Sequence, residues 1–309
     1  MRIIIVGGSG YVGQYLCQGL PQLLVNCEFY STYFTKNPFK KYQAKFPNIR
    51  ESYFLDLSKD ENDAIKIIDK VKPDIIINTS AMSTIQQCQN YKETSFHVND
   101  PHKWAEYALK NGCKKFIHFS TDMVYDGFKG NYNEEEANPL SNLIYGLSKR
   151  NGEINLLKLD NIVILRSALV IGKKNITGEG RGSTLDWMTD TIMKATKEKP
   201  AGFYENEFRT PILVNDIVRV VAKIIEINVS LPKKLVLNLG GPTKCNRYQL
   251  GLKIAKRIGV SEDVIKPTLQ EGNDRPSDIS MECKKLDEIL NIKLCTLYES
   301  LDFINDINK

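Results

Sequence analysis

The run Ile3-Ile4-Ile5-Val6 leads straight into Gly7-Gly8-Ser9-Gly10-Tyr11-Val12-Gly13, and no other stretch of the chain restricts its fold so strongly. Four consecutive aliphatic residues with no polar alternation describe a strand buried on both faces, the kind found in parallel sheets covered by helices. Glycines at G-x-x-G-x-x-G spacing separate that strand from an amphipathic segment at 12–20, which Pro21 is expected to stop. In such a place Gly7 takes the tight turn, Gly10 lets the backbone approach a pyrophosphate, and Gly13 lets helix and strand pack closely. The helix N-terminus adds unpaired N–H groups and positive potential for phosphates. In a chain with 20 Gly the spacing alone is weak, and a ligand-free turn is the plain alternative; position between strand and helix gives the pattern its meaning.

Strand and helix signals then alternate. Strands are expected at 29–34, 74–78, 116–119 and 162–165, and helices at 60–71, 104–109 (ending at Asn111-Gly112) and 142–157. This alternation predicts a Rossmann-like, doubly wound α/β fold with a parallel sheet. From 172 to 184 the sequence turns polar and glycine-rich and reads as a mobile loop. Helical patterns follow at 185–195, 216–227 and 248–258, with a further strand at 235–239. Residues 1–171 are therefore expected to form the dinucleotide-binding domain, with 208–240 returning to it. Residues 172–207 and 241–309 are expected to form a smaller substrate lobe over the C-terminal strand edges, where ligands bind in open α/β sheets.

Composition excludes several other classes. With 309 residues, 42% hydrophobic and 26% charged, the chain is globular, and no apolar run reaches the roughly 18 residues of a membrane span. The first residues lack a small-residue cleavage site after their apolar run. A net charge of +5 arises from mixed charges without a long basic block, which argues against nucleic acid as a partner. Seven scattered cysteines with no C-x-x-C pair argue against a disulfide framework and for a reducing, cytoplasmic setting. Three histidines without H-E-x-x-H spacing argue against a catalytic transition metal and read as surface or packed core.

The second strand bears on the cofactor. An acidic residue about 20 positions after the loop would accept the ribose hydroxyls of NAD. No carboxylate stands between Glu28 and Glu51 here; the window offers hydroxyls, Thr32 among them, and Lys36 backed by Lys40 and Lys41. Those groups suit a 2′-phosphate, so NADP(H) is expected ahead of NAD(H), unless the lysines are simply a solvated face. Asp56 stands where a carboxylate could take the adenine amino group or cap a helix.

Tyr145-Gly146-Leu147-Ser148-Lys149 places a phenol and an amine one helical turn apart on one face. With 14 Tyr in the chain, about one or two Y-x-x-x-K matches arise by chance, and a second one exists at Tyr125 and Lys129. Asp126-Gly127 between that second pair is a turn signal, which favours Tyr145 and Lys149. Reduction of a ketone leaves an alkoxide that needs a proton, and a phenol of pKa about 10 is a slow donor at neutral pH. A nearby ammonium favours the phenolate and brings the pKa toward the working range. A small hydroxyl should then polarise the carbonyl oxygen; Thr121, after the 116–119 strand, is placed to do so, or to satisfy backbone groups at the strand end.

These stretches resemble the extended short-chain dehydrogenases/reductases, and more narrowly the dTDP-4-dehydrorhamnose reductase family with its relative, the regulatory β subunit of methionine adenosyltransferase. The motifs that carry the resemblance are the glycine loop, Asp56-Leu57, Asn78-Thr79-Ser80-Ala81, Val98-Asn99, Ser120-Thr121-Asp122-Met123-Val124-Tyr125-Asp126-Gly127, Tyr145 to Lys149 with Glu153, Leu165-Arg166-Ser167, and Arg275-Pro276 with Ser280. The resemblance implies Thr121, Tyr145 and Lys149 as the catalytic trio. It implies Gly10, Tyr11, Val12, Asp56, Leu57, Ala81, Met82, Ser83, Tyr145 and Lys149 around the cofactor, and Thr121, Asp122 and Arg275 toward the substrate. Two departures stand out: Leu169 where the reductases commonly carry a Trp, and Phe208-Arg209-Thr210-Pro211-Ile212 in place of their Y-G-x-P-T, closer to the β-subunit branch. The expected function is an NADPH-dependent reductase of a small-molecule keto-sugar nucleotide. The alternative is a non-catalytic NADP-binding regulatory subunit docked on a methionine adenosyltransferase catalytic subunit.

Overall fold

Ile3 and Ile5 pack into one apolar core while Ile4 and Val6 pack into another, so the first strand is covered on both faces as its unbroken aliphatic run requires. The computed structural model describes residues 1–59, 61–140, 142–178, 182–272 and 275–305. Residues 179–181 of the expected loop, 60 at the head of the expected 60–71 helix, and 273–274 and 306–309 of the expected lobe lie outside the described residues.

Seven strands form one sheet: β1 (Arg2–Val6), β2 (Glu28–Tyr33), β3 (Ile49–Phe54), β4 (Ile75–Asn78), β5 (Lys115–Thr121), β6 (Ile162–Ser167) and β7 (Lys234–Leu239). Every neighbouring pair is parallel, and the spatial order is β7-β6-β5-β4-β1-β2-β3. The winding direction reverses between β1 and β4, which opens a crevice beyond their C-terminal ends. Helices α1 (Tyr11–Leu23), α2 (Asn62–Val71), α3 (Lys92–Asn99), α4 (His102–Lys110) and α5 (Ile144–Leu156) belong to this half. Beyond them in the chain come α6 (Thr184–Met193), α7 (Val214–Glu226) and α8 (Arg247–Ile258). Apolar residues of α1 and α7 cover one sheet face, and residues of α2 and α4 cover the other. The second lobe has its own core, in which α6 and α8 pack with the parallel pair Ala201–Tyr204 and Ile265–Thr268.

Three features depart from expectation. The strand β3 had no counterpart in the sequence reading, because an edge strand with charged Arg50 and Glu51 shows no continuous apolar run. Pro21 does not stop α1: it sits inside the last turn, and the helix closes with Leu24 N–H donating to Leu20 O at 2.9 Å. A proline there removes one intrahelical bond near an end that needs few. The stretch 284–294, expected in the lobe, sends Leu286, Leu290 and Leu294 into the sheet's core beside α7, so it belongs with the dinucleotide half.

Candidate active site

The crevice at the switch point is a cavity of about 860 Å³, lined by the glycine loop, the ends of β2, β4, β5 and β6, α5, and the start of α6. Gly7 carries a φ of +81°, a left-handed conformation open to glycine, and its Cβ position would lie 2.7 Å from Ser80 N. Thr32 sits beneath the turn and accepts the Gly7 N–H at 2.9 Å, so the expected cofactor hydroxyl serves first as a brace for the loop. A Cβ on Gly13 would fall 2.3 Å from Gly7 O, which shows how closely α1 approaches the turn. Gly10 is the N-cap of α1, no side chain caps it, and the first turn holds no carboxylate. The N-terminal N–H groups of Tyr11 and Val12 are therefore open toward the cavity with an unopposed positive dipole end, an arrangement that fits a dinucleotide's pyrophosphate.

A Gly13→Ala substitution tests that fit directly. The added methyl has only backbone in front of it, so the loop must open, at a cost of about 1–3 kcal/mol. The expected outcome is a loss of about tenfold to a hundredfold in dinucleotide affinity by fluorescence titration.

At the far end of the crevice Tyr33, Phe34, Asp56, Leu57 and Ser58 line the wall. Asp56 accepts from Ser58 N–H at 2.9 Å and Ser58 Oγ at 2.5 Å, and these bonds hold its carboxyl below the ordinary range. Lys36 is exposed and stands outside the lining, because the chain turns away after Phe34 toward the short helix at 38–41. Ala81, Met82 and Ser83 do line the cavity. Their loop is tied down by buried Asn99, which accepts Met82 N–H and donates to Met82 O, both at 3.0 Å, and also donates to Ser148 Oγ at 2.9 Å.

Thr121, Tyr145 and Lys149 meet in this same cavity. Tyr145 and Lys149 lie one turn apart on α5, as the spacing predicts. Lys149 is buried; its Nζ donates to Phe119 O at 2.6 Å and lies 3.1 Å from His118 Nε2. Burial pulls its pKa down to about 8, against the attraction of the Glu153 carboxylate. Thr121 ends β5, donates through its hydroxyl to Asp122 Oδ1 at 3.2 Å, and accepts the Met123 N–H. Asp122 is buried on the cavity wall, and burial pushes its carboxyl up to about 6 against the pull of Arg209. The competing Tyr125 and Lys129 pair is resolved: Tyr125 is fully buried with its hydroxyl donating to Asn238 Oδ1 at 2.6 Å, while Lys129 pairs with Glu136.

Arg275 is not part of the lining. Its guanidinium is half-exposed and faces Glu207 at 3.9 Å. The arginines that line the cavity are instead Arg209 and Arg247, which a two-residue antiparallel pairing of 208–209 with 245–246 brings together. Fully buried Glu207 holds both: Arg209 at 3.1 Å, and Arg247 in a close ion pair. Their separation of nearly forty positions leaves no local pattern for the sequence to show, although Arg209 lies in the 208–212 segment that departs from the reductase pattern.

The family match and the reductase relatives show an NAD(P)-dependent oxidoreductase, and the parallel sheet with its flanking helices is that of the extended short-chain dehydrogenases/reductases. The chain belongs to the family described as the RmlD substrate binding domain, whose model matches residues 1–307. A dTDP-4-dehydrorhamnose reductase of Aggregatibacter actinomycetemcomitans is 29% identical over 231 residues, 73% of this chain and 67% of that protein. Methionine adenosyltransferase 2 subunit beta of Danio rerio is 24% identical over 268 residues, covering 84% and 79%. Among solved structures, a hypothetical dTDP-4-dehydrorhamnose reductase from Sulfolobus tokodaii is 27% identical, with a TM-score of 0.77 over 98% of this chain and 99% of that one. The reductase of Bacillus anthracis in complex with NADP shares the fold at 20% identity and a TM-score of 0.80, covering 100% and 99%. Among the described residues no helix is long and apolar enough to cross a membrane.

Proposed function

We propose that this protein is an NADPH-dependent reductase of a keto-sugar nucleotide. The observation that carries the reading is the convergence of Thr121, Tyr145 and Lys149 in one cavity with the glycine loop. Bound NADPH supplies the hydride that goes to the keto carbon. Tyr145 gives its phenolic proton to the carbonyl oxygen, so the product is an alcohol and Tyr145 is left as phenolate. The Lys149 ammonium stabilises that phenolate, and Thr121 turns its hydroxyl from Asp122 to hold the carbonyl oxygen. Arg209 and Arg247 offer the positive charge that a diphosphate requires. Because Lys149 loses its charge as pH rises through about 8, reductive kcat/KM is expected to hold below that pH and fall above it. A pH profile with no alkaline limb between about 7 and 9.5 would contradict that role.

The assay that tests the whole reading is a thermal-shift panel of NADPH, NADH, dTDP-sugars and UDP-sugars, followed by turnover of the keto forms. Ligand that binds only the folded chain adds about 2.7 kcal/mol at a hundredfold excess over Kd. NADPH is expected to shift the melting point more than NADH, and a nucleotide sugar to add to it; no shift by either dinucleotide rejects the reading.

A second reading has its own support in the similarity to the methionine adenosyltransferase subunit and in the 208–212 segment. There the chain would bind NADP and dock on the catalytic subunit without turnover. A pull-down at micromolar concentration separates the two, since a reductase has no reason to associate.

A further inference from the structure

His118 has no part in the proposed reductase chemistry, yet it lies fully buried beside the Lys149 amine. The strand register puts it there: Asn78 of β4 and His118 of β5 are direct partners across the ladder, and Asn78 Nδ2 lies 3.1 Å from His118 Nδ1. The orientation of the Asn78 amide is fixed, because its Oδ1 accepts both the Ser80 N–H at 3.0 Å and the Ser80 hydroxyl at 2.5 Å. Its nitrogen end therefore faces the imidazole and donates, so Nδ1 must accept. A neutral imidazole that accepts at Nδ1 carries its proton on Nε2. That N–H points at Lys149 Nζ from 3.1 Å, while Nζ itself donates to Phe119 O. An ammonium has no lone pair to receive it; an amine does.

We propose that His118 is a positioning residue: its Nε2–H donates to the Lys149 nitrogen, favours the amine form in the free protein, and so sets the pH above which Tyr145 loses its ammonium neighbour. This inference deepens the reductase reading and rests on it for its consequence, though not for its geometry. The other titratable groups around the pair are few. Glu153 lies one turn beyond Lys149 on α5 and is held by Arg166 and Arg150. Cys88 comes from the helix at 85–90, Tyr145 from the preceding turn of α5, and Asp122 from the turn after β5, where it accepts from Thr121. Ser95 and Ser148, from the α3–α5 contact, are neutral. Burial disfavours a charged His118, in line with a neutral ring.

Two measurements on the free protein test the proposal. With 15N-labelled histidine, the wild-type His118 ring is expected to show Nε2 protonated and Nδ1 bare above pH 8, where Lys149 is an amine; a proton on Nδ1, or an imidazolium, overturns it. A Lys149 Nζ titration, assigned by its absence in Lys149→Met, is expected to move up by about one pH unit in His118→Leu, which removes the opposing N–H. An unchanged or lower midpoint in a folded His118→Leu overturns the proposal; should that variant fail to fold, the wild-type tautomer decides. Neither readout needs turnover, so loss of the reductase reading (no NADPH oxidation by wild type with any keto-sugar nucleotide) and loss of this one remain distinct results.

Discussion

Tyr145→Phe is expected to reduce turnover of a keto-sugar nucleotide by about 10²–10⁴-fold while leaving NADPH affinity within about twofold. The phenol is the proton source in the proposed step, and phenylalanine keeps its ring and packing while removing the only transferable hydrogen. Water in the crevice is a poor substitute, because the alkoxide that forms beside Lys149 needs a donor already in position. The loss should therefore appear in kcat, with KM for the sugar nearly unchanged. Lys149→Met makes the complementary case: it removes the charge and also a polar group from the cavity wall, so both turnover and dinucleotide affinity should fall. Stopped-flow absorbance at the nicotinamide band and fluorescence titration of NADPH check the two halves. Unchanged NADPH oxidation in Tyr145→Phe would remove Tyr145 from the mechanism, whereas wild type that binds NADPH but oxidises none with any keto-sugar nucleotide would favour the regulatory reading.

How much of this was legible in advance follows from how local each signal is. The buried strands β1, β4 and β6 announce themselves as aliphatic runs and β5 as an aromatic and aliphatic one, because both of their faces are covered. The glycine loop and the Tyr145 and Lys149 pair are equally local, with spacings set by one turn or one helix. Edge strand β3 is not legible in this way: Arg50 pairs with Glu28 and Glu51 with Lys70, so its sequence carries the polar side of the sheet. Lys36 and Arg275 were chosen by charge and motif, but a cation reaches a ligand only if its chain segment turns toward the cavity, which spacing does not encode. Arg209 and Arg247 are the converse case, two residues that become neighbours only through a short pairing between distant segments. His118 reads from sequence as surface or packed core, and the fold buries it; its contact with Lys149 depends on inter-strand register, which a single sequence does not reveal.

Glu153→Ala is expected to cost about 3–5 kcal/mol of folding stability, the larger structural effect of any single change here. Glu153 is fully buried, and its oxygens accept from Arg166 Nε at 3.0 Å, Arg166 Nη2 at 2.9 Å and Arg150 Nη1 at 2.9 Å. Arg166 continues inward, donating to Tyr125 Oη at 3.0 Å and Glu134 O at 2.5 Å, and Tyr125 in turn reaches Asn238 on β7. Removing the carboxylate leaves a buried guanidinium with no counter-charge, in a place where it cannot reach water. Replacing both partners by methionine should cost less than the sum of the single changes, since neither charge is then stranded. Acid supplies an independent check. Burial raises the Glu153 carboxyl but Arg166 overcomes it, so its pKa lies below the ordinary range in the folded chain. A depressed folded value means stabilisation present above the unfolded pKa of about 4.3 and lost as pH falls through the folded one. Urea unfolding of wild type and Glu153→Ala should therefore differ most near neutral pH and converge on acidification below about 4. Because α5 carries Tyr145 and Lys149 as well as Glu153, the same variant should lose activity well below its melting point, as the helix that presents both groups loosens against β6. Equal stability of the two proteins at pH 7 would show that the Glu153 and Arg166 pair does not hold that helix in place.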